Sequence, residues 1–300
     1  MRAAMTDAGT HILDLGEIDG PVLCFGGPYS NLQATQAILA EAARRDIPPE
    51  RIICTGDVVA YCGDPSATTA TIRDAGIHVV MGNCEEQLGF NGADCNCGFE
   101  DGSDCAQWSQ AWFAAAAANL SEEALSWMQD LPRQIRFTLS GRRFAVIHGG
   151  ADNISEYVFA SSAAGDKMRN FDRLEQVGPI DAVIGGHSGL PFTQFLGAML
   201  WHNAGAIGMP ANDGTPRGWF SLLSPASDGI DIRIQALEYD HQAAAAALRA
   251  SQPHLPYAKT LESGLWPNMA VLPDAEQKRR GQSLNGQAVH WPRRRNAAAE

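Results

Sequence analysis

A chain of 300 residues with 45% apolar composition is long enough for one large domain or two small ones with a substantial core. Its net charge of -12 disfavours a broad nucleic-acid-binding surface, which needs positive potential, and no run of about 18 apolar residues marks a membrane span. The N-terminal stretch lacks the charged-then-apolar order of an export signal, so a cytoplasmic location is expected. Its seven cysteines are then read as thiols or metal ligands.

In chain order, "PVLCF" (21–25) is a short apolar run bounded by Gly and Pro and predicts a buried strand. "NLQATQAILAEAARRD" follows with helical spacing through Leu32, Ile38, Leu39 and Ala42. Strand "RIICT", helix "SATTATIRDAG" and strand "IHVVM" repeat the alternation, so the first 83 residues are expected as layered α/β with mainly parallel strands. Residues 89–106, rich in Gly, Asp and Cys, lack any apolar period and read as a loop insertion. Two helices, "WSQAWFAAAAANL" and "SEEALSWMQDL", come next, the second capped by Ser121. "RQIRFTL" and "RFAVIHGG" form strands around a turn at Ser140 and Gly141, and a helix near 165–176 leads to "IDAVIGGHSG", "QFLGAMLW", "GWFSLL" and "IDIRIQALEY". This second half reads as hairpins completing mixed sheets. The expected division is a domain over 1–240 with a Cys-rich insertion at 84–106, then a helix and surface-wrapping tail over 241–300.

Four polar groups fall just after strands, where open α/β sheets place their sites: Asp57 in "CTGDVVAYCGDP", Asn83 in "MGNCEEQL", His148 in "VIHGG" and His187 in "GGHSG". Each has a glycine neighbour, which lets backbone approach a ligand closely. Singly, each reads as a turn or a half-buried histidine. Together, a carboxylate, an amide oxygen and two imidazoles suit one zinc, manganese or iron ion.

The succession "GGPYSNLQA", "GDVVAYCGDP", "GNCEEQL", "IHGG", "GGHSGLPF" and "NAGAIGMPANDGTPR" resembles the calcineurin-like metallophosphoesterases, particularly the small prokaryotic phosphodiesterase-type members. The resemblance implies a four-layer α/β/β/α sandwich of mixed sheets flanked by helices. It also implies hydrolysis of a phosphate mono- or diester by two ions that activate a bridging hydroxide. Family members carry an aspartate and a histidine where Gly27 and Tyr29 stand, and a second histidine where Gly189 follows Ser188. Those three missing groups are, in the family, ligands of one ion; the matches to the other ion's ligands are Asp57, Asn83, His148 and His187. One retained divalent ion, Mn, Fe or Zn, is therefore expected.

Catalytic candidates are Asp57, His148 and Cys84, the last standing where the family has a leaving-group or phosphate histidine. Substrate candidates are Tyr29, Asn31 and Asp152. Tyr29 is expected to pack into the vacated space, with a tyrosinate ligand to iron as the alternative. Cys95, Cys97 and Cys105, without paired CxxC spacing, are weighed as a structural zinc or iron site against free thiols or a local disulfide. The tryptophans read as core or lid. The expected function is a metal-dependent phosphoesterase acting on a small phosphorylated substrate, without nucleic-acid or membrane partners and with oligomeric state left open. Alternatives are a mononuclear iron enzyme of another reaction class, or an inactive metal-stabilised binding or regulatory protein.

Overall fold

The computed structural model describes residues 4–6, 10–100 and 102–293. Thirteen strands among them form two sheets. They are β1 (Ala4–Thr6), β2 (Thr10–Glu17), β3 (Val22–Phe25), β4 (Ile52–Cys54), β5 (His78–Val79), β6 (Gln134–Leu139) and β7 (Arg142–Val146), followed by β8 (Ala182–Gly185), β9 (Phe192–Leu196), β10 (Met199–Asn203), β11 (Gly218–Ala226), β12 (Gly229–Leu237) and β13 (Gln287–Pro292). One sheet runs β1-β2-β6-β7-β8-β10-β9 and the other β13-β12-β11-β3-β4-β5.

The short central strands are apolar throughout because both their faces are covered. In β3, Val22 and Cys24 enter the core between the sheets, where they meet the layer holding Ile135, Phe137, Val146 and Ile184. Leu23 and Phe25, one residue out of phase, enter a second core on the helical side with Ala34 and Ile38. In β8, Ala182 and Ile184 face the other sheet while Val183 packs with Phe171. Phe137 and Phe144, paired across β6 and β7, stack at 4.7 Å. The result is the mixed-sheet sandwich with flanking helices that the sequence led us to expect.

The helices are α1 (Leu32–Arg44), α2 (Pro65–Asp74), α3 (Asn83–Gly89), α4 (Asp104–Asn119), α5 (Glu122–Gln129), α6 (Ala164–Glu175), α7 (His241–Ser251), α8 (Tyr257–Ser263) and α9 (Asp274–Gln277). Ser103 caps α4 by accepting from the Ala106 amide at 3.2 Å, so that helix begins inside the expected loop. Two features were not expected. β1 and β2 add an edge to one sheet, β2 pairing in parallel with β6. At the other end β13 pairs antiparallel with β12, although only its Trp291 is buried. A strand with one buried residue has no apolar period to read, which is why this stretch looked like surface-wrapping chain.

Candidate metal centre and its cleft

The chain leaves β4 through Gly56, at φ 93°, where a Cβ would lie 2.8 Å from both the Gly82 nitrogen and the Val80 carbonyl oxygen. No side chain fits between the ends of β4 and β5, and the backbone turns sharply enough to present Asp57. Asp57 itself sits at φ 55° and His187, just after β8, at φ 54°. Left-handed conformations at non-glycine residues cost energy and persist where the surroundings hold them. The buried Glu85 carboxylate holds this turn, accepting from the amides of Asp57 at 2.8 Å, Gly82 at 3.0 Å and Val59 at 3.1 Å.

Four side chains from four strand exits converge. His148 Nδ1 lies 2.6 Å from the Thr55 carbonyl oxygen, which can only accept, so that nitrogen carries the proton. Nε2 of the same ring lies 2.9 Å from Asn83 Oδ1, 3.1 Å from His187 Nδ1 and 3.2 Å from Asp57 Oδ2. Asn83 is oriented by its Nδ2, which donates to the Cys95 carbonyl at 2.7 Å, so its oxygen faces inward. His187 Nδ1 is 3.9 Å from Asp57 Oδ2. Acceptor atoms thus face one another in a buried space, an arrangement that calls for a cation.

A proton meets part of that need. Burial opposes charge on His148, but the Asp57 carboxylate outweighs it and raises the imidazole above its ordinary value. Asp57, though burial pushes the other way, is held well below the usual carboxylate range by His148 and His187. His187 is lowered, by burial first. A metal ion suits the same place. Ligands at about 2.1 Å from an ion and at right angles lie about 3.0 Å apart, close to the separations around His148 Nε2. Ligand atoms of Asp57, His148 and His187 all lie within 4.8 Å of one another.

The opposite pole is different. A Cβ on Gly27, at φ 47°, would lie 2.3 Å from Tyr29 Cζ and 2.8 Å from Tyr29 Oη. One on Gly189 would lie 3.5 Å from the same oxygen. The Tyr29 ring therefore occupies the space that side chains at 27 and 189 would share. Burial, then the Asp57 charge, raises its phenol well above the ordinary range.

A sequence model of the calcineurin-like phosphoesterase superfamily domain matches residues 22–224. The chain belongs to this superfamily. An uncharacterized protein of Methanocaldococcus jannaschii is 26% identical to it in an alignment of 230 residues that covers 71% of this chain and 85% of that protein. The crystal structure of a metallophosphoesterase from Sphaerobacter thermophilus matches with a TM-score of 0.60 and 21% identity, covering 82% of this chain and 99% of that one. A hypothetical protein from Pyrococcus horikoshii OT3 matches with a TM-score of 0.67 and 14% identity, covering 81% and 98%. Both structural likenesses carry the fold.

Within this calcineurin-like scaffold several candidate residues lie elsewhere than expected. Asn31 caps α1, accepting from the Ala34 amide at 3.0 Å and donating to the Gly208 carbonyl at 3.0 Å, so its polar groups are used in the fold. Asp152 projects outward and pairs with Arg173 at 2.6 Å. Cys84 is buried beside Asp57 and does not line the cleft. Its amide donates to Asp57 Oδ1 at 3.4 Å, and burial first, then Asp57, raises its thiol well above normal. Cys95, Cys97 and Cys105 do not gather as an ion site, because Cys95 and Cys97 are disulfide-bonded to each other and Cys105 is free in another wall. The bond from Tyr157 Oη to the Cys97 carbonyl, at 3.0 Å, holds the insertion against the residues after β7.

Sequence reasoning missed the roles of Thr55 and Glu85 in orienting the ligands. It also missed Tyr157, whose ring lies 4.2 Å from that of His187. Beside His187 and Tyr29 opens a cleft to whose lining Tyr61, Phe99, Trp108, Tyr157, Tyr257 and Trp266 contribute aromatic rings. Trp108 and Trp266 belong to that wall, whereas Trp112, Trp201, Trp219 and Trp291 are buried in the core. No helix among the described residues is long and apolar enough to cross a membrane.

Proposed function

We propose that this protein hydrolyses a phosphate ester with a single divalent ion, Mn, Fe or Zn, held by Asp57, Asn83, His148 and His187. The observation that carries the reading is the contrast between four converging ligand atoms at one pole and the Tyr29 ring packed between Gly27 and Gly189 at the other. Bound there, the ion would act as Lewis acid toward the phosphoryl oxygens and would lower the pKa of a bound water. The chain's own residues supply the preorganisation. Thr55 fixes the His148 tautomer, the Cys95 carbonyl turns the Asn83 oxygen inward, and Glu85 clamps the turn that carries Asp57. The neutral Tyr29 closes the side from which a second ion would be reached, and the aromatic walls shelter the ester from bulk water.

Elemental analysis of protein purified without added metal should give one ion per chain for wild type and close to none for His187→Ala. Turnover of a panel of phosphate mono- and diesters should fall at least about a thousandfold in that variant. Two ions per chain in wild type would overturn the single-ion reading. No turnover of any ester with the ion in place would overturn hydrolysis and leave the binding-protein alternative.

A further inference from the structure

The walls of the cleft carry a consequence for the substrate. From Tyr29, at the edge of the ion site, an unbroken series of ring contacts leads outward: Tyr29 to Tyr61 at 5.0 Å, Tyr61 to Tyr257 at 5.0 Å, and Tyr257 to Trp108 at 6.1 Å. Edge-on and tilted packing of this kind holds each ring in a fixed plane. Trp266, also in the lining, is pinned, its indole nitrogen donating to the Pro210 carbonyl at 2.7 Å and its amide to Asn212 Oδ1 at 2.8 Å. Among the residues lining the cleft there is no Lys, Arg, Asp or Glu. A wall without cations offers nothing to a second phosphate or another anionic group. Tyr257 and Trp266 lie beyond residue 224, where the match to the superfamily domain ends.

Resting on the phosphoesterase reading above, we propose that the substrate is a singly phosphorylated ester whose alcohol part is a flat aromatic ring, without anionic groups, bonded through its oxygen to phosphorus. The ring lies against Trp108 and Trp266 while the phosphoryl group meets the ion site. The oxygen of water forms the new bond to phosphorus as the bond to the aryl oxygen breaks. The electron pair departs on the phenolate, which takes up a proton from solvent, and the attacking water loses one.

The test compares equilibrium binding of 1-naphthyl phosphate and methyl phosphate to metal-loaded protein under conditions without turnover. Naphthyl phosphate should bind at least about tenfold tighter, and Trp108→Ala and Trp266→Ala should each shrink that ratio by about tenfold, with Trp266→Phe restoring most of it. The ratio is internal to each variant, so a general loss of folding or metal cancels. Equal affinities, or a ratio unmoved in both alanine variants, would overturn the proposal. If the ratio behaves as expected and no ester is turned over, the aromatic subsite stands and hydrolysis fails. If esters of both kinds are hydrolysed equally well and the ratio is flat, hydrolysis stands and the subsite fails.

Discussion

The two poles of the centre share a backbone and differ in side chains. At one, Asp57 and His187 stand at φ 55° and 54°; at the other, Gly27, Tyr29 and Gly189 stand at φ 47°, 51° and 67°. All five are left-handed, so the strand exits that would aim ligands at two ions are present at both poles. The first is filled by inward-facing acceptors and the second by a hydrophobic ring. On the single-ion proposal, ion number is set by local packing and not by the path of the chain. Glycine at 27 and 189 does more than delete ligands, since it frees the volume that the ring takes.

The largest effect expected from breaking this contrast is steric. Gly27→Asp returns a carboxylate to the second pole but places its Cβ 2.3 Å from the Tyr29 ring at a positive φ, so it should destabilise the protein by roughly 3 kcal/mol. Combined with Tyr29→Ala, the same substitution should cost less than the sum of the single changes by about 1–3 kcal/mol, because the clash has gone. Denaturant melts of the four proteins in the cycle measure this. Additive costs would mean that the ring is not what fills the second pole.

A smaller effect is expected at the retained pole. Glu85→Gln replaces a carboxylate that accepts three amides by a group with one acceptor oxygen, and should cost about 2 kcal/mol. It should also change the pH profile of the metal-free protein. Burial, then the Asp57 charge, pushes Glu85 up to about 7 from 4.5. A carboxyl raised on folding contributes stability that is complete below its unfolded pKa and is lost as pH rises through the folded one. Wild type should therefore lose more stability than Glu85→Gln between about pH 4.5 and 7. Parallel profiles would mean that Glu85 is not the buried acid of this pole.

What could be read beforehand follows from the same physics. Asp57, Asn83, His148 and His187 were legible because each ends an apolar run, and a run covered on both faces leaves its first polar residue at the sheet's edge. Their sequence neighbours were not. Successive residues on a helix point about 100° apart, so Cys84 enters the core when Asn83 faces the site. Asn31 is consumed by the helix it starts, and Asp152 lies past a turn that points it to solvent. Tyr257 and Trp266 join the cleft from a segment more than 60 residues beyond the last ligand, through packing that no local period announces. The two cysteines in "CNC" were weighed as ligands or a local disulfide, and spacing alone does not choose between them.

The smallest expected effect bears most directly on what fills the second pole. Tyr29→Phe keeps the ring between Gly27 and Gly189 and removes only the hydroxyl. Because burial and the nearby Asp57 charge hold that hydroxyl far from ionising, it contributes no anionic oxygen to an ion. The variant should bind the same one ion per chain as wild type, with a stability change within about 1 kcal/mol. Elemental analysis decides between two readings of the same ring. An unchanged ion count leaves Tyr29 as packing, and the asymmetry between the poles stands. Loss of the ion would make the phenol a ligand despite its burial, which is possible only if an ion beside it offsets the charge that the protein alone disfavours. The second pole would then be a metal site with changed ligands.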